Sequence, residues 1–543
     1  MVRRHAGLLV VLVAVVLLAA RFLEWFPYGW DQAEYCTCLK ADYLPHSPYL
    51  LYFAAGKLLH LVFPPPLALS ELSALAALAA VALFYGAHLR LWRRSLGRLG
   101  LSEGEGRAAA VLAAALLGLC FAFIRQAATQ EVYTCQAALA LLALFVLLGE
   151  GRRRAVWSGV AFGAAVATHN ASLLLVPAFL VALWARGSFR RDGLRWALAA
   201  AVVCAVAAGA LFALVPGKPG EGRASYVAGY LRGSSPRALH GALAEPRFLA
   251  HSLRGMYRRL FTQDVAMCRL ARAAAPLGTS PMHLVAALAG LALCARLGLW
   301  PGLLWAVYTL PFLAHEVALG RNLDYGLYVP FVLPPLASLS AVAVAAMGRL
   351  RGLQWGRRFL QAFAALALLL PSGVLAWRHW DAVERGAGEH FGRTTLVAAW
   401  AADHLPPDAV LLAPADEPNV NLVPYYAERR HAYLSGGAWM LFVPRGPFTP
   451  LNLSSFEPLT TERLRELLEA GHTVWAFEPQ PLARAEPGRL DPAAFAWGQP
   501  RLVRLEEAAA SLALPPSVRE RLPGGTALLY RCRLAGGQAA GEP

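Results

Sequence analysis

Residues 152–195 read RRRAVWSGVAFGAAVATHNASLLLVPAFLVALWARGSFRRDGLR, an apolar stretch with arginines at both ends. The apolar part, 155–185, is too long for one ordinary membrane-spanning helix at about 1.5 Å per residue. Polar His169 and Asn170 interrupt its middle. If both arginine-rich flanks face the cytoplasm, as the excess of positive residues in cytoplasmic loops predicts, the segment must cross the bilayer twice and turn at these two residues.

The composition indicates that most of the chain lies in a lipid bilayer. Of 543 residues, 57% are hydrophobic and only 15% are charged, and a soluble protein of this length would show more charge and shorter apolar runs. The net charge of +16 comes from arginine runs placed between apolar segments. That placement is typical of membrane topology rather than of a nucleic-acid-binding face, so no nucleic-acid partner is expected.

The remaining spans are apolar stretches of about 20 residues, the length that crosses a bilayer. They are 7–26, 67–89, 107–124, 132–149, 196–215, 282–299, 301–318, 327–347 and 359–377. With the hairpin they make about eleven spans, and the first is expected to be an uncleaved anchor. The shorter stretch 49–63 is bracketed by prolines and predicts a helix lying in the outer membrane interface.

This topology divides the chain into two domains and a tail. We expect a transmembrane domain at 1–377, with outer loops at 27–66 and 216–281. Alternating helix-like and strand-like segments at 378–535 predict a small α/β domain on the exoplasmic side. Its helices are expected at 394–404 and 460–470, and its strands at 409–413, 472–477 and 526–532. Residues 536–543 are rich in glycine and alanine and are expected to be disordered.

Several charged and polar residues fall at the predicted outer face. A charge at membrane depth costs on the order of 2.5–3.5 kcal/mol, so such residues are functional candidates. They are Asp31, Glu34, His46, Arg125, Glu131, His169, Asn170, Arg321 and Asp324. Their collection on one side, in a topology derived only from arginine runs, indicates a single outward-facing site.

Each candidate also has a plain structural interpretation. Asp31 can be a solvated loop acid or a helix N-cap, and Arg125 with Glu131 can form an ion pair that closes a turn. His169 can simply satisfy backbone groups at the hairpin. Arg321 and Asp324 can be interfacial anchors.

The residue types suit transfer from a lipid phosphate. A carboxylate can act as general base on an acceptor hydroxyl, and an arginine can bind a phosphate leaving group and stabilise its growing charge. A lipid-phosphate substrate would reach such a site from the outer leaflet. Cys36 and Cys38 lack a second cysteine pair or a nearby histidine, so neither a metal site nor a cofactor is expected.

Several stretches carry a resemblance to a known family. They are WDQAE at 30–34, PHSPYLLY at 45–52, GKLL at 56–59, QEVYT at 130–134, residues 163–170, and RNLDY at 321–325. Together they resemble the multipass glycosyltransferase family typified by the O-mannosyltransferase that modifies IPT domains of plexin-type receptors. The sequence departs from the family pattern at Ser47 and Leu50, and reads Thr-His-Asn at 168–170 where Asn-His is usual.

The resemblance implies a GT-C fold, that is, an α-helical polytopic membrane protein, here with a C-terminal α/β domain. It further implies an inverting glycosyltransferase, with mannose as one candidate among hexoses. The donor would be a polyprenyl-phosphate-linked sugar and the acceptor a protein or glycan hydroxyl. Asp31 would be the base, Glu34 would assist, and Arg125 or Arg321 would hold the donor phosphate.

Two other functions are compatible with the same residues. One is a transporter or flippase of a lipid-linked or polar substrate, although no inverted repeat is visible. The other is a non-catalytic scaffold or sensor that binds through its soluble tail. The arginine- and alanine-rich composition favours a bacterial inner membrane.

Overall fold

The computed structural model describes most of the chain. The residues described are 2–23, 30–45, 49–215, 223–232, 281–318, 329–347, 361–362, 364–369, 392–413, 425, 431–435, 438–442, 456–477, 491–512, 519, 522 and 524–535. Contacts divide the chain into two compact units. The helical unit is Met1–Glu24 with Ser47–Trp380, and the sheet unit is Trp25–His46 with Asp381–Pro543.

The first unit consists of helices. The helices from α1 to α15 follow one another in chain order, and all of them except α2 belong to the first unit; α2 belongs to the sheet unit. They are α1 Val2–Phe22, α2 Trp30–Ala41, α3 Leu50–His60, α4 Pro65–Trp92, α5 Leu96–Leu99, α6 Glu103–Gly118, α7 Phe121–Ala128, α8 Tyr133–Leu147, α9 Arg154–Thr168, α10 Val176–Ala185, α11 Phe189–Leu214, α12 Arg223–Arg232, α13 Pro281–Arg296, α14 Trp300–Ala318 and α15 Leu333–Ala346. A 3₁₀ turn, Asn170–Leu175, connects α9 to α10.

Two of the described helices, α4 and α11, are long and apolar enough to cross a membrane. A third span is obtained if α6 and α7 are counted as one bent span. Several shorter apolar helices, among them α8 and α15, accompany them. The unit is thus a bundle of apolar helices, as expected for a polytopic membrane protein, while the number of eleven spans stays a prediction.

The segment 155–185 folds back on itself at His169. The Ser172 hydroxyl donates to the Ala165 carbonyl over 3.0 Å, and the rings of Phe162 and Phe179 lie 4.9 Å apart. Further from the turn, Arg154 at the start of α9 contacts Ser188, just beyond α10. These pairs lie at similar distances on either side of residue 170, so α9 and α10 form the antiparallel hairpin that the sequence predicts.

Polar contacts of different kinds mark the two ends of the helical unit. At one end arginines bind carbonyls and a carboxylate: Arg90 donates to Phe145 O (2.6 Å), Arg186 to Leu148 O (2.8 Å) and Gly149 O (2.9 Å), and Arg154 pairs with Asp192 (3.1 Å). At the other end lie Tyr49, Tyr52, Ser73, Glu131, Tyr133 and His169. We call these the arginine end and the polar end.

Helices α4, α8 and α9 each run from one end to the other, so the two ends are opposite. The arginine-rich stretches 90–98, 152–154 and 186–195 therefore gather apart from residues 125–131 and 168–170, which contain candidates predicted for the outer face. This separation agrees with the topology derived from the arginine runs. Which end faces the cytoplasm stays a prediction.

The predicted span 107–124 is wrong in its boundaries, because the chain breaks within it. Helix α6 ends at Gly118, and α7 begins after Cys120, whose backbone is extended with ψ 133°. The two helices are bent by 62° relative to each other. Beyond the bend, Ile124 and Ala128 of α7 pack against Leu18 of α1, and the helix continues to Ala128.

Glycines bring α9 and α11 into close contact. A Cβ on Gly159 would clash with the carbonyl of Trp196, and one on Gly163 would lie 2.7 Å from the Ala200 carbonyl. Two glycines four residues apart let helix backbones approach closely in membrane proteins. The Trp196 ring then packs on Phe162, with centroids 4.8 Å apart. This contact fixes the hairpin against α11.

Helix α3 has the two-faced character of an interfacial helix. Tyr52, Phe53 and Gly56 are buried, whereas Leu51 and Leu58 are exposed. Its 11 residues extend about 16 Å at 1.5 Å per residue, which is too short to cross a bilayer. The helix predicted from 49–63 is present, and its location at a membrane surface stays a prediction.

The second unit is built on a seven-stranded sheet of order β4-β3-β2-β1-β5-β7-β6. The strands are β1 Val410–Ala413, β2 His431–Ser435, β3 Ala438–Phe442, β4 Phe456–Pro458, β5 Val474–Phe477, β6 Phe495–Arg504 and β7 Thr526–Leu534. Strand β1 pairs in parallel with β2 and β5, and the remaining pairs are antiparallel.

Alternating side chains of β1 enter two cores. Leu411 packs in a core with Leu396 and Trp400 of α16 (Arg393–His404) and with residues of α18 (Leu505–Ser511). Val410 and Leu412 pack in another core with Leu464 and Leu467 of α17 (Thr461–Glu469). Because strand side chains alternate between faces, helices cover both faces of the sheet.

Helix α2, which carries Asp31 and Glu34, groups with this sheet unit. Every described side chain from Gln32 to Leu39 is buried. The Lys40 ammonium lies 5.0 Å from the centroid of the Tyr425 ring, and Tyr43 makes an edge contact with Phe442 of β3. The contacts therefore tie this part of the first loop to residues after 381.

Candidate functional site

His169 is held rigidly at the polar end of the helical unit. Its ring stacks on Tyr49, with centroids 5.1 Å apart and planes at 27°, and lies 5.7 Å from the Tyr133 ring. The side chain is 8% exposed. A buried, stacked imidazole has little rotational freedom, so its ring nitrogens keep fixed directions.

One hydrogen bond also fixes the tautomer of His169. The backbone N–H of Ala171 donates to Nδ1 over 3.2 Å. Since a backbone nitrogen can only donate, Nδ1 must be the unprotonated nitrogen and the proton of the neutral ring lies on Nε2. The same bond caps the 3₁₀ turn, so His169 both shapes the hairpin and presents an N–H donor.

A network of uncharged polar side chains connects the helices beneath His169. Its hydrogen bonds are Gln136 to Ser172 (3.0 Å), Gln130 to Ser70 (2.8 Å), Ser73 to the Glu131 carbonyl (2.8 Å), Thr134 to the Ser73 carbonyl (2.9 Å) and Tyr52 with Ser73 (3.3 Å). Buried polar groups that satisfy each other fix one arrangement of the surrounding elements. This network joins α3, α4, α8 and the hairpin into one platform.

Arg125 and Glu131 lie on this platform, at the end of α7 and just before α8. Both side chains are half-buried. The ion pair considered from the sequence does not form: among the described residues Arg125 has no carboxylate partner. A half-buried arginine without a carboxylate partner among the described residues can bind an anionic ligand.

Asn170 is the exposed neighbour of buried His169. It starts the 3₁₀ turn, and its side chain therefore lies on the outer side of the hairpin tip. The two residues predicted together as a pair thus have different surroundings.

Asp31 and Glu34 share helix α2 at a spacing of one turn, as the sequence predicts. The Glu34 side chain is buried. Burial, and to a lesser extent the Glu34 carboxylate, raises the pKa of the Cys38 thiol well above its usual value. His46, Arg321 and Asp324, the other predicted site residues, lie outside the described residues.

Glu316 is a candidate that the sequence analysis missed. It is fully buried near the end of α14, with Oε1 3.3 Å from Nδ1 of His315. Its Oε2 has no hydrogen-bond partner among the described residues. A buried carboxylate with an unused oxygen is costly and is therefore a functional candidate.

The direction of α14 places Glu316 at the polar end. The turn before α14 contains Gly298, and a Cβ built there would lie 3.9 Å from Arg98 Nη2, beside the arginine end. Helix α14 runs away from that turn and packs against the 3₁₀ turn Asn170–Leu175. The sequence contained a signal for this residue. Glu316 is a charged residue near the end of a long apolar run, and Asp31 was selected because it follows such a run.

The polar end thus combines hydrogen-bond donors with a carboxylate acceptor. The Nε2–H of His169 and the guanidinium of Arg125 can bind phosphate oxygens, and the Glu316 carboxylate can accept hydrogen bonds from sugar hydroxyls. Helices α9 and α14 also present exposed apolar side chains, among them Trp157, Leu303 and Leu310. Such a platform suits a ligand with a polar head and a lipid tail.

No protein-family model and no curated protein sequence matches the chain. Among solved structures, the chain is similar to ArnT from Cupriavidus metallidurans bound to undecaprenyl phosphate, with a TM-score of 0.53 and 12% identity. The apo state of the same protein gives a TM-score of 0.53 and 14% identity. Both alignments cover 97% of this chain and 98% of the other. The chain therefore shares the fold of these ArnT structures along nearly its whole length.

Proposed function

We propose that this protein is a GT-C membrane glycosyltransferase that transfers a sugar from a polyprenyl-phosphate carrier to an acceptor hydroxyl. The observation that carries the proposal is the stacking of His169 on Tyr49 at the polar end, which fixes the direction of an N–H donor. The similarity of fold to an ArnT structure that contains undecaprenyl phosphate supports the choice of donor.

The donor phosphate would be bound by cationic and N–H groups. Arg125 and the Nε2–H of His169 would contact its oxygens, and Arg321 would join them from the segment before α15. Charge-assisted hydrogen bonds of this kind strengthen as negative charge grows on the leaving phosphate. His46, Glu131, Asn170, Asp324 and Glu316 would orient the sugar and the phosphate.

The transfer itself would proceed with inversion. The Asp31 carboxylate would take the proton of the acceptor hydroxyl, while the acceptor oxygen forms a bond to the anomeric carbon from the side opposite the phosphate. The bond between that carbon and the phosphate oxygen breaks, and polyprenyl phosphate leaves with the bonding electron pair. Glu34, one helical turn away, would assist Asp31.

The sugar, the acceptor and the location of the two domains are proposed from the sequence. The sugar would be a hexose such as mannose, and the acceptor a protein or glycan, as in O-mannosylation. The membrane domain, 1–377, would carry the donor site in a bacterial inner membrane. The domain 378–535 would gather the acceptor on the exoplasmic side.

A transfer assay with the full chain in lipid nanodiscs tests the proposal. The donor is a polyprenyl-phosphate mannose with a radiolabelled sugar, and the readout is label released as water-soluble product or bound to an acceptor peptide or glycan. We expect Asp31→Asn to lower the rate at least 100-fold, the scale of lost general-base catalysis. Asp42→Asn is the matched control, because Asp42 is exposed just beyond α2 and has a positive φ that asparagine tolerates.

Two results would contradict the proposal. An Asp31→Asn variant as fast as the unmodified protein would remove Asp31 as the base. Movement of intact labelled donor across the bilayer, without transfer of the sugar, would instead indicate a flippase.

A further inference from the structure

The arginine end contains a cleft that the proposed transfer does not use. The cleft has a volume of about 730 Å³ and lies between the α8–α9 turn and the first turns of α11. Its charged lining residues are Glu150, Arg152, Arg153, Arg154, Arg191, Asp192 and Arg195. Five arginines face two carboxylates, so the cleft carries an excess of positive charge.

Two contacts fix the shape of this cleft. Arg154 pairs with Asp192 at 3.1 Å, with both side chains less than one-fifth exposed. This pair joins the start of α9 to the start of α11. Arg186 donates to the carbonyls of Leu148 and Gly149 and so holds the turn that forms the other wall.

The other arginines of the cleft do not hold its walls together in the way that Arg154 and Arg186 do. Arg152, Arg153, Arg191 and Arg195 are exposed, and within the described part of the chain none of them has an ion-pair partner. Like charges held close together repel, and a bound anion removes that repulsion. The N-termini of α9 and α11 also open here, and helix N-termini favour negative charge.

The surroundings indicate that the anion belongs to a lipid. Exposed aromatic side chains, Trp157, Trp184 and Phe189, lie near the cleft on α9, α10 and α11. Tryptophan and other aromatic residues concentrate at the headgroup level of membranes. A soluble anion would need no such apolar border.

An apolar stripe also leads away from the cleft along α11. Leu194, Leu198, Val202 and Val206 are spaced four residues apart, and each is more than half exposed. Residues at this spacing lie on one helix face, which starts beside Arg191 and Arg195. The stripe offers a track for an acyl chain whose headgroup lies in the cleft.

We propose that this cleft is a binding site for an anionic phospholipid, with the headgroup phosphate on Arg152, Arg153, Arg191 and Arg195 and an acyl chain along the α11 stripe. Basic pockets between membrane helices bind acidic lipid headgroups by this chemistry. The site lies at the end opposite His169, so it is separate from the proposed transfer.

Native mass spectrometry of the full chain in detergent micelles can measure this binding. The protein is titrated with phosphatidylglycerol and, separately, with phosphatidylcholine of the same acyl chains. We expect the unmodified protein to prefer phosphatidylglycerol, and the variant R191Q/R195Q to bind it roughly 30-fold more weakly, the effect of two membrane-surface arginines. The matched control R98Q/R190Q removes two exposed arginines from the same end that do not line the cleft.

A second variant, R152Q/R153Q, tests the cleft without changing α11. Its substitutions lie before the first residue of α9, so a loss of binding in this variant cannot result from misfolding of α11. An equal loss of binding in the control and in both cleft variants would overturn the proposal, as would unchanged binding in the cleft variants. Displacement of the lipid by sn-glycerol 3-phosphate at equal concentration would assign the cleft to a soluble anion. A lipid-free dimer crosslinked through cysteines placed at 198 and 202 would assign the stripe to a second copy.

Discussion

The imidazole of His169 stacks on the phenol ring of Tyr49, although seven helices, α3 to α9, separate the two residues in the chain. Tyr49 precedes helix α3, and His169 lies at the turn of the α9–α10 hairpin. The contact therefore ties the helix that follows the first loop to the hairpin tip. It gives the polar end a fixed hydrogen-bond donor.

His169→Asn separates the two roles of this histidine. Asparagine can still accept the Ala171 N–H and cap the 3₁₀ turn, but it lacks a donor at the position of Nε2. We expect near-normal thermal stability and a transfer rate lowered about 100-fold, the cost of removing one donor to a developing negative charge. The measurements are the melting temperature of the purified protein and the nanodisc transfer assay. An active His169→Asn variant would leave only the structural role.

Glu316→Gln tests the buried carboxylate of α14. We expect kcat/KM for the sugar donor to fall about 10- to 100-fold, since a hydrogen bond to a charged group contributes about 1.5–3 kcal/mol. Glu316→Asp, which keeps the charge, should recover part of the loss. If both variants transfer sugar at the normal rate, Glu316 acts on neither substrate.

Gly163→Leu should weaken the packing of α9 on α11. Its side chain would meet the Ala200 backbone carbonyl, and overpacking of this kind costs about 1–3 kcal/mol. We expect a lower melting temperature and a smaller monodisperse fraction on gel filtration. The control is Gly209→Leu on α11, where a Cβ has nothing within 4 Å. Equal behaviour of the two variants would show that the close contact is unimportant.

Glu506 connects α18 to the turn before β7 in the sheet unit. The Gly525 N–H donates to its Oε1 over 2.7 Å, and this bond lowers the pKa of Glu506 below its ordinary value of 4.5. A lowered folded-state pKa stabilises the fold above the unfolded value, and the stabilisation is lost as the pH falls through the folded value.

Glu506→Gln should therefore lower the melting temperature at pH 7, with a difference that shrinks as the pH falls below 4.5. Glu507→Gln is the control, because Glu507 only pairs with Arg504 on the exposed surface. A difference that stays constant from pH 7 to pH 3 would rule out the charged hydrogen bond as its source.

Local signals in the sequence located many of the elements. The strand expected at 409–413 is β1, and the helix expected at 460–470 is α17 (Thr461–Glu469). Helix α4 covers the predicted span 67–89 with a few residues more. Each of these elements was predicted from the spacing of apolar residues within a short segment. Such spacing is a local property of the sequence.

The break between α6 and α7 could not be predicted from the local spacing of apolar residues. No proline or polar residue marks positions 119–120, and the contact of Ile124 and Ala128 with α1 beyond the bend joins residues far apart in the chain. Glu316 was missed for a different reason: it lies at the end of an apolar run that was judged by its length alone.

The sequence by itself determined that the chain is a helical membrane protein, that its arginines gather away from its polar turns, and that residues 155–185 form a hairpin. These follow from the free energy of placing apolar and charged side chains in a bilayer, which depends on each short segment alone. Tertiary structure alone decided that His169 meets Tyr49, that α2 groups with the sheet unit, and that five arginines line one cleft. Contacts between residues far apart in the chain depend on how the segments pack, and no local pattern specifies that packing.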